Sequence, residues 1–300
     1  MKSLANSPSI AVMYLSEPER GQHILVRGDA RRLGFLRDQS IHLVLTSPPY
    51  GSLKHYPERA GQLGNDPNYD RFLDEIDAAW AESFRLLLPG GRLVCVVGDV
   101  CISRRKGGRH HVLPLSADIM SRARRLGFDV LTPIIWLKVA NISMEASRSS
   151  RFLGKPYLPN GIIKNDRETI VMLRKPGGYR KPTPEMEELS RIHKADYFKW
   201  FTPIWSDIPG ASTRDHPAPF PFELASRLVQ MFSFVGDWIL DPFVGTGTSV
   251  EASVRSGRNA VGVDIEPAYL DMASRRLRRE SGMNLSNGRL MEGATSVYVP

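Results

Sequence analysis

The residues Thr46-Ser47-Pro48-Pro49-Tyr50 follow directly on the apolar run Ile41-His42-Leu43-Val44-Leu45, so a buried strand delivers a hydroxyl, two prolines and an aromatic ring to one exit loop. Two consecutive prolines fix φ, remove two N–H donors and restrict the residue before each of them. What remains is a stiff surface of acceptors, Ser47 Oγ and the Pro48 carbonyl. An exocyclic amino group on a nucleobase is a poor nucleophile, because its lone pair is delocalised into the ring. Two acceptors gripping its hydrogens would pyramidalise the nitrogen and aim the lone pair at an electrophilic methyl group, with Tyr50 stacked on the base. A base inside a duplex cannot reach such a pocket, so flipping is implied, and an aromatic floor partly offsets the lost stacking. The same tetrapeptide also reads as a plain strand-exit turn, and on these residues alone the two readings are even.

A second candidate lies in the last third. Trp238-Ile239-Leu240-Asp241-Pro242-Phe243-Val244-Gly245-Thr246-Gly247-Thr248-Ser249 reads as a strand, a tight glycine turn and the start of a helix over 250–256. Gly245 and Gly247 let a backbone approach a ligand closely, and Thr248 or Ser249 is placed to cap the helix. About twenty residues on, the run Ala260-Val261-Gly262-Val263 ends in Asp264, where a ribose-binding acid sits in nucleotide-binding βαβ units. Val250 stands where the third glycine of a dinucleotide fingerprint belongs. A cofactor without phosphates, S-adenosylmethionine, therefore suits the turn better than a nicotinamide dinucleotide. Asp264 also has a plain reading as a strand-end turn former.

The elements that must hold these loops are legible as apolar runs suited to buried parallel strands: His23 to Arg27, Ile41 to Leu45, Leu93 to Val97, Val130 to Leu137, Ile170 to Leu173, Trp238 to Leu240 and Ala260 to Val263. Helical patterns fall between several of them, at Asp70 to Leu88 (ended by Pro89-Gly90-Gly91), Leu115 to Leu126, Phe222 to Phe232 and Ala268 to Leu277. Strand and helix in alternation predict an α/β protein with a doubly wound, mostly parallel sheet, whose ligands sit beyond the carboxyl ends of the strands. From 139 to 205 the chain is rich in Arg, Lys, Pro and Gly with scattered aromatics, which predicts an irregular basic insertion. The expected organisation is a catalytic domain over 20–138 and 206–300, an inserted target-recognition region over 139–205, and a flexible N-terminus over 1–19.

Composition bounds the rest. The 300 residues carry a formal charge of +8, which favours a polyanionic partner, although a basic surface also serves solubility. Cys95 and Cys101 are too few for a disulfide framework, and no Cys/His group has zinc spacing, so no metal is expected. No apolar run is long enough to cross a bilayer and the first twenty residues make a poor signal peptide, so a cytoplasmic, nucleoid-associated location in a bacterium or archaeon is expected.

Taken together, the motifs resemble those of the S-adenosylmethionine-dependent DNA amino-methyltransferases, which act on N4 of cytosine or N6 of adenine. Ser47-Pro48-Pro49-Tyr50 is similar to that family's catalytic signature, (Asp/Asn/Ser)-Pro-Pro-(Tyr/Phe/Trp), and Asp241 to Thr248 to its cofactor signature. Gly28-Asp29, Ile135-Trp136-Leu137-Lys138 and His216 to Pro221 are similar as well, so the resemblance spans most of the chain. The catalytic motif precedes the cofactor motif, as in the permuted subgroup called beta. The resemblance implies a Rossmann-like methyltransferase fold of seven strands with one reversed, and double-stranded DNA as partner. It admits a monomer or a homodimer, with a cognate restriction endonuclease as a further partner. It implies that Asp264 binds the cofactor ribose, that Asp241, Phe243 and Gly245 line the methionine and sulfonium pocket, that Asp29 contacts the adenine, and that His216 to Phe220 help close the site.

Serine at the first catalytic position resembles the cytosine-N4 members more than the adenine-N6 members. Asp99, another strand-end acid, reads more simply as a turn former than as a substrate contact. For DNA the candidates are Lys54 and His55 after the catalytic turn, Arg104, Arg105 and Arg109 in a basic loop, and Arg148, Arg151, Lys155, Arg174, Lys175 and Arg180 in the insertion. Alternatives of other classes are an RNA or protein methyltransferase using a similar Pro-Pro-Tyr loop, a catalytically silent DNA-binding module, and a nicotinamide-dependent oxidoreductase. The motif order and basic insertion count against the first, and the missing third glycine against the last.

Overall fold

A computed structural model describes residues 11–17, 21–51, 59, 61–138, 152–153, 158–159, 161–163, 165–210, 221–281 and 290–292. Its first half runs β1 (Ala11–Glu17), β2 (Gly21–Arg27), β3 (Ile41–Thr46), α1 (Tyr69–Leu86), β4 (Leu87–Val97), β5 (Val100–Ile102), α2 (Arg104–Gly107), β6 (His111–Leu113), α3 (Leu115–Arg125) and β7 (Asp129–Leu137). There follow β8 (Phe152–Leu153), β9 (Ile162–Ile163), β10 (Arg167–Arg174), α4 (Pro184–Leu189), α5 (Lys194–Trp200), β11 (Ile204–Trp205), α6 (Phe222–Phe232), β12 (Trp238–Asp241), α7 (Thr248–Arg255), β13 (Asn259–Asp264), α8 (Pro267–Ser281) and β14 (Leu290–Glu292).

One sheet has the order β11-β7-β10-β4-β3-β12-β13-β2-β1-β14. Its body, β7 to β2, is the expected doubly wound arrangement: β4, β3, β12, β13 and β2 run parallel, and β10 is the reversed strand, antiparallel to both β4 and β7. The body has the seven strands that the apolar runs predict, but the described sheet has ten, because its edges are extended by β11 at one side and β1 and β14 at the other. A bare edge strand leaves a row of unpaired N–H and C=O groups, and short added strands satisfy them.

Two expected boundaries change as a result. Residues 11–17, assigned above to a flexible N-terminus, pair antiparallel with β2 from Ala11↔Arg27 to Glu17↔Gly21. The span 139–205 is not wholly an insertion either. It contributes β10, whose Ile170, Val171 and Leu173 are fully buried, and it buries Trp200 and Trp205. The apolar run Ile170 to Leu173 marks this strand, and the insertion bounds drawn from the average composition of 139–205 took it in wrongly.

Strand alternation explains how one sheet serves two helical layers. In β4, Leu93, Cys95 and Val97 join Phe72, Ile76 and Trp80 of α1 and Ile119 and Ala123 of α3 in one cluster. Val94 and Val96 face the other way and join Leu224 and Leu228 of α6. Each such aliphatic side chain, fully withdrawn from water, contributes about 1.5–3 kcal/mol before ordering entropy. Helix α1 starts after the cap Asn68, whose side chain accepts from Arg71 N–H, and ends two residues earlier than its periodicity suggests, because Leu87 and Leu88 already belong to β4.

From β12 the chain winds through α7 to β13 on one side, and from β3 through α1 to β4 on the other. Strand order therefore reverses between β3 and β12, and a crevice opens beyond their carboxyl ends.

Candidate active site

That crevice holds a solvent-open cleft of about 580 Å³. The exit of β2 supplies Gly28, Asp29 and Ala30, and the exit of β3 supplies Ser47, Pro48 and Pro49. Pro242 and Phe243 come from the exit of β12, Asp264 and Ile265 from that of β13, and Tyr269 from the first turn of α8. Gly61, Gln62 and Leu63 close it from a short 3-10 turn ahead of α1. Thus Asp29, Ser47, Pro48, Pro49, Phe243 and Asp264, scattered over more than two hundred residues of chain, share one cavity. Ala30, Gln62, Leu63, Ile265 and Tyr269 were not anticipated. Nothing in their local sequence marks them, apart from the helix start that follows Asp264.

Asp264 is held by two backbone donors, Gly245 N–H to Oδ2 at 2.9 Å and Glu266 N–H to Oδ1 at 2.8 Å. Burial nonetheless pushes its carboxyl up to about 6, against the pull of those two bonds. Asp29 differs. Its burial raises the carboxyl, but the Arg31 side chain and backbone bonds outweigh this and hold it below the usual range. Arg31 Nε sits 2.8 Å from Asp29 Oδ1. The ring of Phe243 is braced edge-on by Trp80, with centroids 6.2 Å apart and planes at 89°.

Three residues expected to touch a cofactor have other work. Asp241 does not line the cleft: its Oδ1 accepts from Thr46 Oγ1 at 2.6 Å and from Phe243 N–H at 3.0 Å, and its Oδ2 accepts from Ser249 Oγ. Burial pushes its carboxyl up to about 6 despite these three donors. Gly247 is itself the cap of α7, at φ +86° and packed against Ala273, and neither Thr248 nor Ser249 caps the helix. Thr248 Oγ1 accepts instead from Arg276 Nη1 at 3.1 Å. Gly245 remains at the site through its N–H to Asp264. The capping expectation failed because hydroxyls next to a glycine turn have two possible directions, and here both turn inward.

In the catalytic loop Ser47 is half-buried at the cleft, and among the described residues nothing hydrogen-bonds to its hydroxyl. Tyr50 is buried, its OH 3.4 Å from Glu168 Oε1 on the reversed strand, and Glu168 is ion-paired with Lys138. On its other side Tyr50 borders a second cavity with Tyr69, Phe72, Ile102 and His111.

The sequence of residues 41–275 matches the family model described as DNA methylase, the N6/N4 methyltransferases. The chain belongs to this DNA methylase family. It is similar to the type II methyltransferases M.MjaI of Methanocaldococcus jannaschii, at 32% identity over 81% of this chain and 87% of that one, and M.MthZI of Methanothermobacter thermautotrophicus, at 31% over 85% and 76%. Among solved structures it is similar to a putative DNA modification methylase of Thermus thermophilus, which was solved with S-adenosyl-L-methionine, at 50% identity and a TM-score of 0.70 over 86% of this chain and 93% of that one. PvuII DNA methyltransferase, at 18% identity and a TM-score of 0.61 over 85% and 86%, shares the fold.

In this methylase the expected DNA contacts separate into two groups. Arg104, Arg105 and Arg109 are exposed on the turn between β5 and β6, the hairpin that carries Ile102 and His111 to the cavity beside Tyr50. Arg174, Lys175 and Arg180 lie at the opposite, amino-terminal edge of the sheet. Arg174 pairs with Asp129, Lys175 donates to the Phe84 and Leu87 carbonyls, and Arg180 pairs with Asp237 beside His42. Because β10 is reversed, its carboxyl end leaves the sheet on the far side from the catalytic loop. Lys54, His55, Arg148, Arg151, Lys155 and His216 to Phe220 lie outside the described residues.

Asp99 accepts from Ser116 N–H at 3.0 Å and Ser116 Oγ at 2.8 Å, so it anchors the start of α3. Cys95 is a core residue of β4 whose thiol burial pushes far up, which leaves no nucleophilic cysteine there. Among the described residues no cluster of His, Cys, Asp and Glu is arranged to hold a metal ion, and no helix is long and apolar enough to cross a membrane.

Proposed function

We propose that this DNA methylase binds S-adenosylmethionine in the cleft between Asp29 and Asp264 and methylates N4 of cytosine in double-stranded DNA. The carrying observation is the half-buried Ser47 hydroxyl, without a partner among the described residues, on the same cleft as the two carboxylates. The cleft suits a nucleoside-like cation: acceptors stand at Asp29 and Asp264, apolar walls at Pro48, Phe243 and Ile265, and it has no phosphate-binding third glycine. When bound, the cofactor supplies a methyl carbon made electrophilic by its sulfonium. Asp264 would accept from the ribose hydroxyls, and Asp29, oriented by Arg31, would hold the adenine end.

Ser47 Oγ and the Pro48 carbonyl accept the two hydrogens of the flipped cytosine amino group, and that grip frees the nitrogen lone pair for in-line attack. The nitrogen would take the methyl as the sulfur–methyl bond breaks and a neutral thioether leaves, and the methylated nitrogen, now acidic, would lose one proton past Ser47 or the Pro48 carbonyl to water. Arg104, Arg105 and Arg109 supply phosphate contacts from the hairpin next to Tyr50. As type II methyltransferases, M.MthZI and M.MjaI support a role within a restriction-modification pair.

The product decides the base. DNA incubated with the protein and cofactor, hydrolysed to nucleosides and resolved by mass, is expected to contain N4-methylcytosine. N6-methyladenine in its place would assign the same fold to adenine, where the resemblance of serine-bearing loops to the cytosine enzymes no longer holds.

Cofactor affinity should also depend on pH. The raised carboxyl of Asp264 is ionised at pH 7.5 and becomes protonated as pH falls through about 6, so an acceptor for the ribose is lost on the acid side. Calorimetry is expected to show binding about tenfold weaker at pH 5 than at pH 7.5. Asp241 titrates in the same window, so Asp264→Asn is the control: it should bind weakly and flatten the profile. An unchanged slope in that variant would move the titration to Asp241.

A further inference from the structure

Thr46, the residue before Ser47, is fully buried, so its hydroxyl cannot reach a substrate. It donates instead to Asp241, which also collects the Phe243 N–H and the Ser249 hydroxyl. One carboxylate, 2% exposed, thereby receives donors from the exit of β3, the turn after β12 and the first turn of α7. The Phe243 N–H can only donate, so Oδ1, which also meets the Thr46 hydroxyl, has to accept. Burying a carboxylate without a cation among these partners is unfavourable, which raises the question of what that arrangement does for the protein.

Main-chain pairing suggests an answer. β3 and β12 are registered at Ile239↔Leu43 and Leu240↔Val44, and that pairing stops before Thr46 and Asp241. Beyond this point one exit loop carries Ser47 and the other Phe243, and the Thr46–Asp241 side-chain bond joins the two.

We propose that Asp241 is a positioning residue that, through Thr46, locks the Ser47-Pro48 loop to the Phe243 side of the cleft and so sets the distance between the two halves of the reaction. The proposal rests on the reading of Ser47 as the acceptor for the amino group. Displacing a reacting group by about 1 Å can cost on the order of a hundredfold in rate, while leaving binding of either partner nearly intact.

The test is transfer of tritiated methyl from S-adenosylmethionine to unmethylated genomic DNA, with cofactor affinity and melting temperature measured on the same full-length variants. Thr46→Val keeps the shape and removes the donor; it is expected to lower kcat at least about tenfold with the cofactor Kd and the DNA KM within about threefold. Thr46→Ser restores the hydroxyl and should recover kcat to within about threefold of the parent. A Thr46→Val enzyme with kcat within about twofold of the parent overturns the proposal, as does a loss that Thr46→Ser fails to recover. Should Thr46→Val not fold, Ser249→Ala removes a donor from the other side: a fall in kcat of about fivefold or more supports the lock and a smaller one overturns it. The two readings fail separately. If Ser47→Ala abolishes turnover while Thr46→Val does not, the lock is wrong and the acceptor role stands; if neither lowers turnover, both are wrong.

Discussion

Ser47→Ala is expected to lower kcat on the order of a hundredfold, the size found when one preorganised hydrogen-bonding group is removed from a site of charge development. The direction follows from the nucleophile. With one acceptor missing, the amino nitrogen stays conjugated with its ring, and the remaining Pro48 carbonyl cannot pyramidalise it alone. Cofactor affinity should stay within about twofold, because the residues that grip the nucleoside ends, Asp29 and Asp264, come from other strands. The melting temperature should not move, since the hydroxyl is half-buried and bonds to nothing among the described residues. Single-turnover methylation with saturating cofactor and DNA measures this directly. A variant within about fivefold of the parent would remove Ser47 from the chemistry and leave the Pro48 carbonyl as the acceptor.

Gly247→Ala should destabilise the protein severely. A Cβ at that position would lie 2.8 Å from Ala273 Cβ and 3.1 Å from Ala273 Cα, and the backbone there has φ +86°, a region L-residues avoid. Ala273 is on the body of α8 and fully buried, so neither partner can swing aside. Strain of about 1–2 kcal/mol for the left-handed backbone adds to about 1–3 kcal/mol for overpacking. The sum, about 2–5 kcal/mol, is a large part of the ~5–15 kcal/mol that holds a domain together. Gly236→Ala separates the two terms: it shares the positive φ, +83°, but its Cβ meets nothing within 4 Å. Urea melts should therefore show a modest loss for Gly236→Ala and roughly twice that loss or more for Gly247→Ala. Equal losses would mean that the α7–α8 contact relaxes and that backbone strain alone is at work.

Much of this protein is readable from local order. Buried parallel strands need continuous apolar runs, and all seven strands of the sheet body fall on such runs. A strand that empties into Ser47-Pro48-Pro49-Tyr50 has to present a stiff, acceptor-rich loop wherever it is placed, because proline geometry is local. Gly245, Gly247 and Asp264 likewise announce a strand, a tight turn and a strand-end acid. The edges were harder. Ala11 to Glu17 carries no strong alternation, and it is a strand only because β2 offers an unpaired edge to lie against. The run Ile170 to Leu173 is legible as a strand, but that it is the reversed one, paired between β4 and β7, comes only from partners distant in sequence.

Roles, in contrast with elements, depend on direction, and direction is a property of the packed molecule. Asp241 and Thr248 sit in a motif that suggests cofactor contact, yet Asp241 faces inward to Thr46, 195 residues away, and Thr248 toward Arg276. Arg104 and Arg180 look equally suited to DNA, but the parallel order of β4 and the reversal of β10 send them to opposite edges of the sheet. Gln62 and Tyr269 join the cleft with no local signal at all. The chain's own order of residues was enough for the strands, the stiff loop and the kinds of chemistry on offer, because each of those is settled by neighbours a few bonds away. Which of the polar groups meet in one cleft, and which are consumed in holding it open, was left to contacts between residues that only folding brings within reach.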